Sequence, residues 1–162
     1  MFSLRSLIAA LAFLLCASWP ISPGEKKAGK IAFEVYAKPY FVKNNVKLPD
    51  NPAFFVLQDK KAFDQIFGIG FVMGPKPKLV DEKHFEANLI VTVIKSGNTL
   101  WKYEVEKVHV DKKQLIVQYT ANGKESTAKF TVPLIVSVPR GDYTEVIFIE
   151  NGKEAGKQAM KK

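Results

Sequence analysis

The chain has 162 residues, a formal charge of +8 and 47% hydrophobic residues, which points to one domain with a substantial core and excludes an intrinsically disordered polypeptide. A single cysteine excludes an intramolecular disulfide framework and a clustered-thiolate metal site. Arg5 and Arg140 are the only arginines and the lysines are scattered, which reads as a solvated surface and argues against nucleic acid as a partner.

The N-terminus predicts export. Arg5 precedes an unbroken apolar run over residues 7–15, which has signal-peptide length and is too short to span a bilayer as a helix. Small residues place the cleavage after Ser18, with an alternative after Gly24. Cys16 stands where a lipoprotein cysteine could stand, but the bulky Leu15 precedes it, so plain signal-peptide sequence is favoured over lipid anchoring. The expected location is periplasmic or secreted, with no transmembrane segment in the mature chain and an unknown oligomeric state.

The pattern that follows predicts a single β-rich domain over residues 31–150. Ile31, Phe33 and Val35 alternate with more polar residues and read as a half-buried strand. Residues 43–52 hold Asn44-Asn45, Pro49, Asp50 and Pro52 and read as a loop; residues 54–57 form a short apolar strand. A helix starts at Asp59 as N-cap, presents Ala62, Phe63, Ile66 and Phe67 on one face, and ends at Gly68 as a left-handed cap. Residues 68–78 form an apolar loop rich in glycine and proline.

From Asn88 the chain reads as a β meander. Leu89 to Ile94 is apolar on both faces, as in a covered central strand. Ser96-Gly97-Asn98 is expected to turn the chain, as are Asp111-Lys112-Lys113, Asn122-Gly123 and Pro139-Arg140-Gly141-Asp142. Trp101, Tyr103 and Val105 share one parity, whereas Val108 and Val110 share the other, so a β-bulge is expected near Glu106-Lys107. Phe130, Val132, Leu134, Val136 and Val138 form another strand, with Pro133 marking it as an edge or as bulged at that point. Residues 143–149 form a last strand, and residues 151–162 a frayed, Lys-rich tail. The fold class is α+β, mainly β: an antiparallel sheet of about six to eight strands with one short helix packed on it.

Chemical motifs are sparse. His84 lies among Asp81, Glu82 and Glu86 without a metal-ligand spacing, and His109 falls on the polar parity of its strand. The chain carries no GxSxG, HExxH or phosphate-cradling glycine motif. No catalytic, cofactor-binding or metal-binding residue is assigned, and no cofactor. The candidate partner-binding residues are Phe71, Val72 and Met73 on the glycine-rich loop, Trp101 and Tyr103 on one strand face, and Arg140. The Pro133 strand offers backbone groups for strand addition.

Residues 101–108, 115–117 and 131–139 carry a Y-x-V-x-x-V strand, then a lysine-rich turn, then a T-x-P-x-x-I/V-x-V-P-like strand. The second half thus resembles the C-terminal domain family of PrcB, a protease-complex subunit of the bacterial envelope. The helix at residues 59–67 is similar to one that often precedes that domain, while Leu100-Trp101 replace its usual Gly-Gly. The resemblance implies an exported accessory protein that supports a protease or surface complex, and brings no catalytic residue with it. The alternatives are an inhibitor of a protease or lysozyme, and a small-ligand or glycan binder.

Overall fold

In the computed structural model, residues 29–36, 39–70 and 77–160 are described. The predicted signal segment and its cleavage sites lie outside them, as do Phe71, Val72 and Met73. Eleven elements follow in chain order: β1 (Gly29–Lys30), β2 (Glu34–Val35), β3 (Tyr40–Val42), β4 (Ala53–Leu57), α1 (Lys60–Ile66), β5 (Phe67–Ile69), α2 (His84–Ala87), β6 (Asn88–Asp111), β7 (Gln114–Pro139), β8 (Glu145–Glu150) and β9 (Lys153–Ala159). The mainly β, α+β class is what the structure has: a seven-stranded, mostly antiparallel sheet and a two-stranded sheet of β3 and β5.

The core of the architecture is one long hairpin, β6 and β7, paired from Asn88↔Pro139 to Asp111↔Gln114. Its inward residues explain how it folds over on itself. Leu89, Val91 and Val93 from the first half of β6 share one cluster with Val108, Leu115, Val117 and Tyr119 from the far half of the hairpin. Val146 and Phe148 of β8 complete that cluster. The opposite parity, Ile90, Ile94 and Ile135, packs on Phe63 and Ile66 of α1, Phe85 of α2, and the small sheet. The near half of the hairpin is therefore covered on both faces, as its two-sided apolar sequence requires.

Two register shifts let the strands bend. Val105↔Tyr119 is followed by Lys107↔Gln118, leaving Glu106 as the extra residue, at the site where the parity change predicts a bulge. The second lies between Gly97 and Thr99, where four residues of β7 oppose Asn98. Here the predicted Ser96-Gly97-Asn98 turn is corrected: Gly97 takes φ +144 and kinks a continuous strand. Asn122-Gly123 is corrected likewise. Both residues lie in the ladder, opposite Lys102 and Trp101, and the chain reverses at Lys112 and Lys113, with φ 45 and 70. The meander is thus two long strands rather than four short ones, followed by β8 in parallel with β7.

Smaller differences have local causes. Asp59 caps α1, its carboxylate accepting from the Ala62 N–H at 2.7 Å, but the helix ends at Phe67 in extended backbone. Gly68 is not a left-handed cap, because Phe67–Ile69 pairs with β3 as a strand. Of the residues expected as a first continuous strand only Glu34–Val35 pair, as β2, while β1 is formed by Gly29–Lys30 just before them; Ile31 and Phe33 still pack on the inner core, and Val35 is 43% exposed. The segment read as a frayed tail forms β9, antiparallel to β8. The second helix, α2, was not expected. No helix among the described residues is long and apolar enough to cross a membrane.

Candidate functional site

The candidates among the described residues, Trp101, Tyr103 and Arg140, are each engaged within the fold. Trp101 lies beneath the chain's own cation: Lys95 Nζ sits 3.8 Å from its ring centroid. The same ammonium pairs with Glu150 at 2.5 Å, and Glu150 accepts from the Tyr119 hydroxyl at 2.9 Å. Tyr103 donates to the Val132 carbonyl at 3.2 Å and packs edge-on against Tyr119. Burial and the Glu150 charge push both tyrosine hydroxyls well above their ordinary pKa. This aromatic face is an internal clasp across the bend of the hairpin. Arg140 is a staple: Nε donates to the Phe85 carbonyl at 2.6 Å, Nη2 donates to the Gln58 carbonyl, and the backbone N–H bonds to Ala87. Arg140 thereby joins α2 to the end of β4.

His84 and Ser137 are brought together across 53 positions, with Nε2 and Oγ 2.9 Å apart. Tyr36 packs edge-on against the imidazole and donates to Glu34, which pairs with Lys78. Desolvation lowers the His84 pKa, the Lys78 hydrogen bond lowers that of Glu34, and desolvation raises Tyr36 to about 12. A Ser–His pair suggests a nucleophile and its base. Ser137, however, is 4% exposed and paired in mid-strand with Glu34. The pair satisfies a buried hydroxyl. Asp81 accepts from the backbone N–H of His84, and no group of three His, Cys, Asp or Glu residues suited to a metal ion occurs among the described residues.

A better-formed site lies at the outer edge of β4. Strand β4 pairs with β6 on one side and, among the described residues, has no ladder partner on the other. A groove of about 730 Å³ runs along that edge, with Phe54, Phe55, Val56 and Leu57 from β4, Ala62, Gln65 and Ile66 from α1, and Gln158 and Ala159 from β9. Residues 45–47 and Pro49 of the preceding loop close the third wall.

The backbone polarity of this edge follows from one side chain. Asn51 donates to the Ser96 carbonyl at 2.7 Å and accepts from the Ser96 N–H at 3.0 Å, so both backbone groups of Ser96 face the β4 side. In an antiparallel ladder this orientation recurs at every second residue. Ile94, Thr92 and Ile90 therefore bond to their partners Ala53, Phe55 and Leu57. Phe54 and Val56 turn their N–H and C=O groups outward, along the groove. The same alternation puts the nitrogen of Pro133, opposite Ile94, on the outer side of β7, where a missing donor breaks no β6–β7 bond. The strand expected as an edge is nevertheless flanked on that side too: β2 pairs with Val136 and Ser137, and the Tyr36 N–H donates to the Ile135 carbonyl, two residues from Pro133.

At Phe54 strand β9 comes close. A Cβ on Gly156 would meet the Phe54 ring at 2.4 Å, and the ring packs on Phe148 with centroids 4.8 Å apart. Val56 is the outward residue away from this contact with β9. The sequence placed a strand and a helix here in succession, but no local signal tells that the strand has one partner. No protein-family model, curated protein or solved structure matches the chain.

Proposed function

We propose that the protein is an exported, non-catalytic binding protein of the bacterial envelope that takes up an extended polypeptide segment along the free edge of β4. The observation that carries this reading is the concave, apolar-floored groove that contains unpaired strand backbone. An edge of this kind supplies hydrogen bonds to any extended chain, while the side-chain walls supply selectivity. The signal-like N-terminus supports export, and the resemblance to the PrcB C-terminal domain family supports an accessory role beside a protease or surface complex. Protease inhibition uses the same surface chemistry and differs only in what the bound segment belongs to.

The test is selection of displayed random peptides against the folded protein, followed by binding to two variants. Gln65→Trp fills the groove from an exposed position of α1, and Lys102→Trp places the same bulk on an exposed strand position away from it. Selected peptides are expected to lose at least tenfold in affinity for Gln65→Trp and to keep their affinity for Lys102→Trp. Equal binding to both variants, or no selected binder at all, rejects the groove as the site.

A further inference from the structure

The chemistry of the groove specifies its occupant further, an inference that rests on the reading just given. The charge of the whole chain, +8, suggests an acidic partner. The lining of the groove does not. Its two charged residues are Lys47 and Asp59, of opposite sign, and the Asp59 carboxylate is engaged in capping α1. The remaining polar side chains that rim it are carboxamides, among them Asn45, Gln65 and Gln158. At contact range a carboxamide neither attracts nor repels one sign of charge, and burying a charged side chain beside Phe55 and Ile66 costs its desolvation, with Lys47 the single lining cation that could offset it for an acidic one. Long-range attraction by the scattered lysines is screened over about 10 Å at ordinary salt and concerns encounter rather than fit.

We infer that the occupant is an uncharged β-strand with aliphatic side chains at alternate positions, held by hydrogen bonds to the outward N–H and C=O of Val56. Alternation follows from strand geometry. Side chains on one face of the incoming strand lie against Phe55 and α1, and those on the other turn away from that wall. Strand β4 is five residues long and β9 closes in at Phe54, so the recognised segment is no longer than about five residues, roughly 17 Å at 3.4 Å per residue. The strand of a partner protein that is itself alternately threonine and valine has this chemistry.

The experiment titrates isotope-labelled protein with four capped seven-residue peptides: alternating Thr and Val; the same with each Thr replaced by Glu; the same with each Thr replaced by Lys; and the Thr/Val peptide N-methylated at two adjacent central residues. Amide shifts and hydrogen exchange at Val56 and Phe55 are the readout. The neutral peptide is expected to shift Val56 and slow its exchange, with Phe55 already protected by β6. The Glu and Lys peptides are each expected to bind at least tenfold more weakly, and N-methylation to abolish the protection of Val56. Tighter binding of the Glu peptide at Val56, or unimpaired binding of the N-methylated one, overturns this inference and leaves the groove reading standing. Failure of all four peptides to perturb β4 overturns both.

Discussion

Replacing Lys95 with methionine tests whether the clasp beneath Trp101 holds the hairpin in its bent form. The Lys95 and Glu150 side chains are 10% and 18% exposed, so their 2.5 Å pair is mostly withdrawn from water. Methionine keeps the apolar stem and removes the ammonium. Glu150 is then left with the Tyr119 hydroxyl as its remaining bonded side chain. Breaking a buried pair from one side costs roughly 3–5 kcal/mol, because the surviving charge stays desolvated. The lost contact with the Trp101 ring contributes about 1–2 kcal/mol of the same loss. Since water reaches part of Glu150, the lower end applies, about 3 kcal/mol, which corresponds to a fall in Tm of roughly 10 °C. Glu150→Gln added to Lys95→Met removes the stranded charge and keeps an acceptor for Tyr119, and is expected to recover at least half of the loss. The assay is urea unfolding at neutral pH, followed by Trp101 fluorescence and far-ultraviolet circular dichroism, with an unchanged slope. A single variant within about 0.5 kcal/mol of the parent, inside the range of an ordinary surface substitution, would refute the clasp. So would a double variant no more stable than the single one.

Three further outcomes follow from the same geometry. Desolvation holds the pKa of His84 and of His109 below the ordinary 6.5, so the unfolded chain takes up these protons more readily than the folded one. Stability is accordingly full above pH 6.5 and declines as the pH falls through the lowered folded values; chemical unfolding between pH 8 and pH 5 measures this, and His84→Gln should flatten the profile. Gly156→Ala puts a methyl group 2.4 Å from a ring wedged against Phe148, an overpacking expected to cost about 1–3 kcal/mol, whereas the same change at Gly29, with nothing nearby, should be close to neutral in thermal melts. Lys112 and Lys113 both have positive φ in a two-residue reversal, so replacing them with Asn-Gly should raise stability by about 1–2 kcal/mol in denaturant titration; a loss would mean that the lysines make contacts the turn needs.

That reversal also shows which parts of the fold could be read from the sequence. Asn122-Gly123 has the better turn chemistry, yet the chain turns at Lys112-Lys113. The choice was made by packing: turning at Lys112-Lys113 sets Val108 beside Val117 and Leu115 beside Val110 in one buried face. Tertiary burial outweighs the roughly 1–2 kcal/mol that each left-handed lysine costs. Where a signal was carried by burial itself, it was legible. The parity change at Glu106, the two-sided run of Leu89 to Ile94, and the Asp59 cap with Phe63 and Ile66 below it all came through. Where it rested on polarity alone, it misled: the Lys-rich end of the chain is a strand because β8 offers an edge, whatever the sequence of β9 prefers.

The candidate site was legible only in its parts, for a related reason. Exposure of an edge is a property of what fails to pair, and strand partners here lie far apart in the chain: Phe54 meets Val93, and Phe55 meets Thr92. Trp101 and Arg140 were conspicuous by residue type, and each is satisfied internally, by Lys95 above the indole and by two carbonyls around the guanidinium. Residues rich in binding chemistry were used to fix the bend and to join α2 to β4. The groove is walled instead by ordinary residues, Gln65, Ala62 and Gln158, whose only distinction is position. A binding site made from backbone needs no unusual side chain, and the residue that governs it, Val56, would be passed over in any search for reactive groups. Its outward N–H is set by the parity of a ladder that Asn51 fixes at Ser96, so Asn51→Ala is expected to loosen β4 and weaken peptide binding without touching the groove lining.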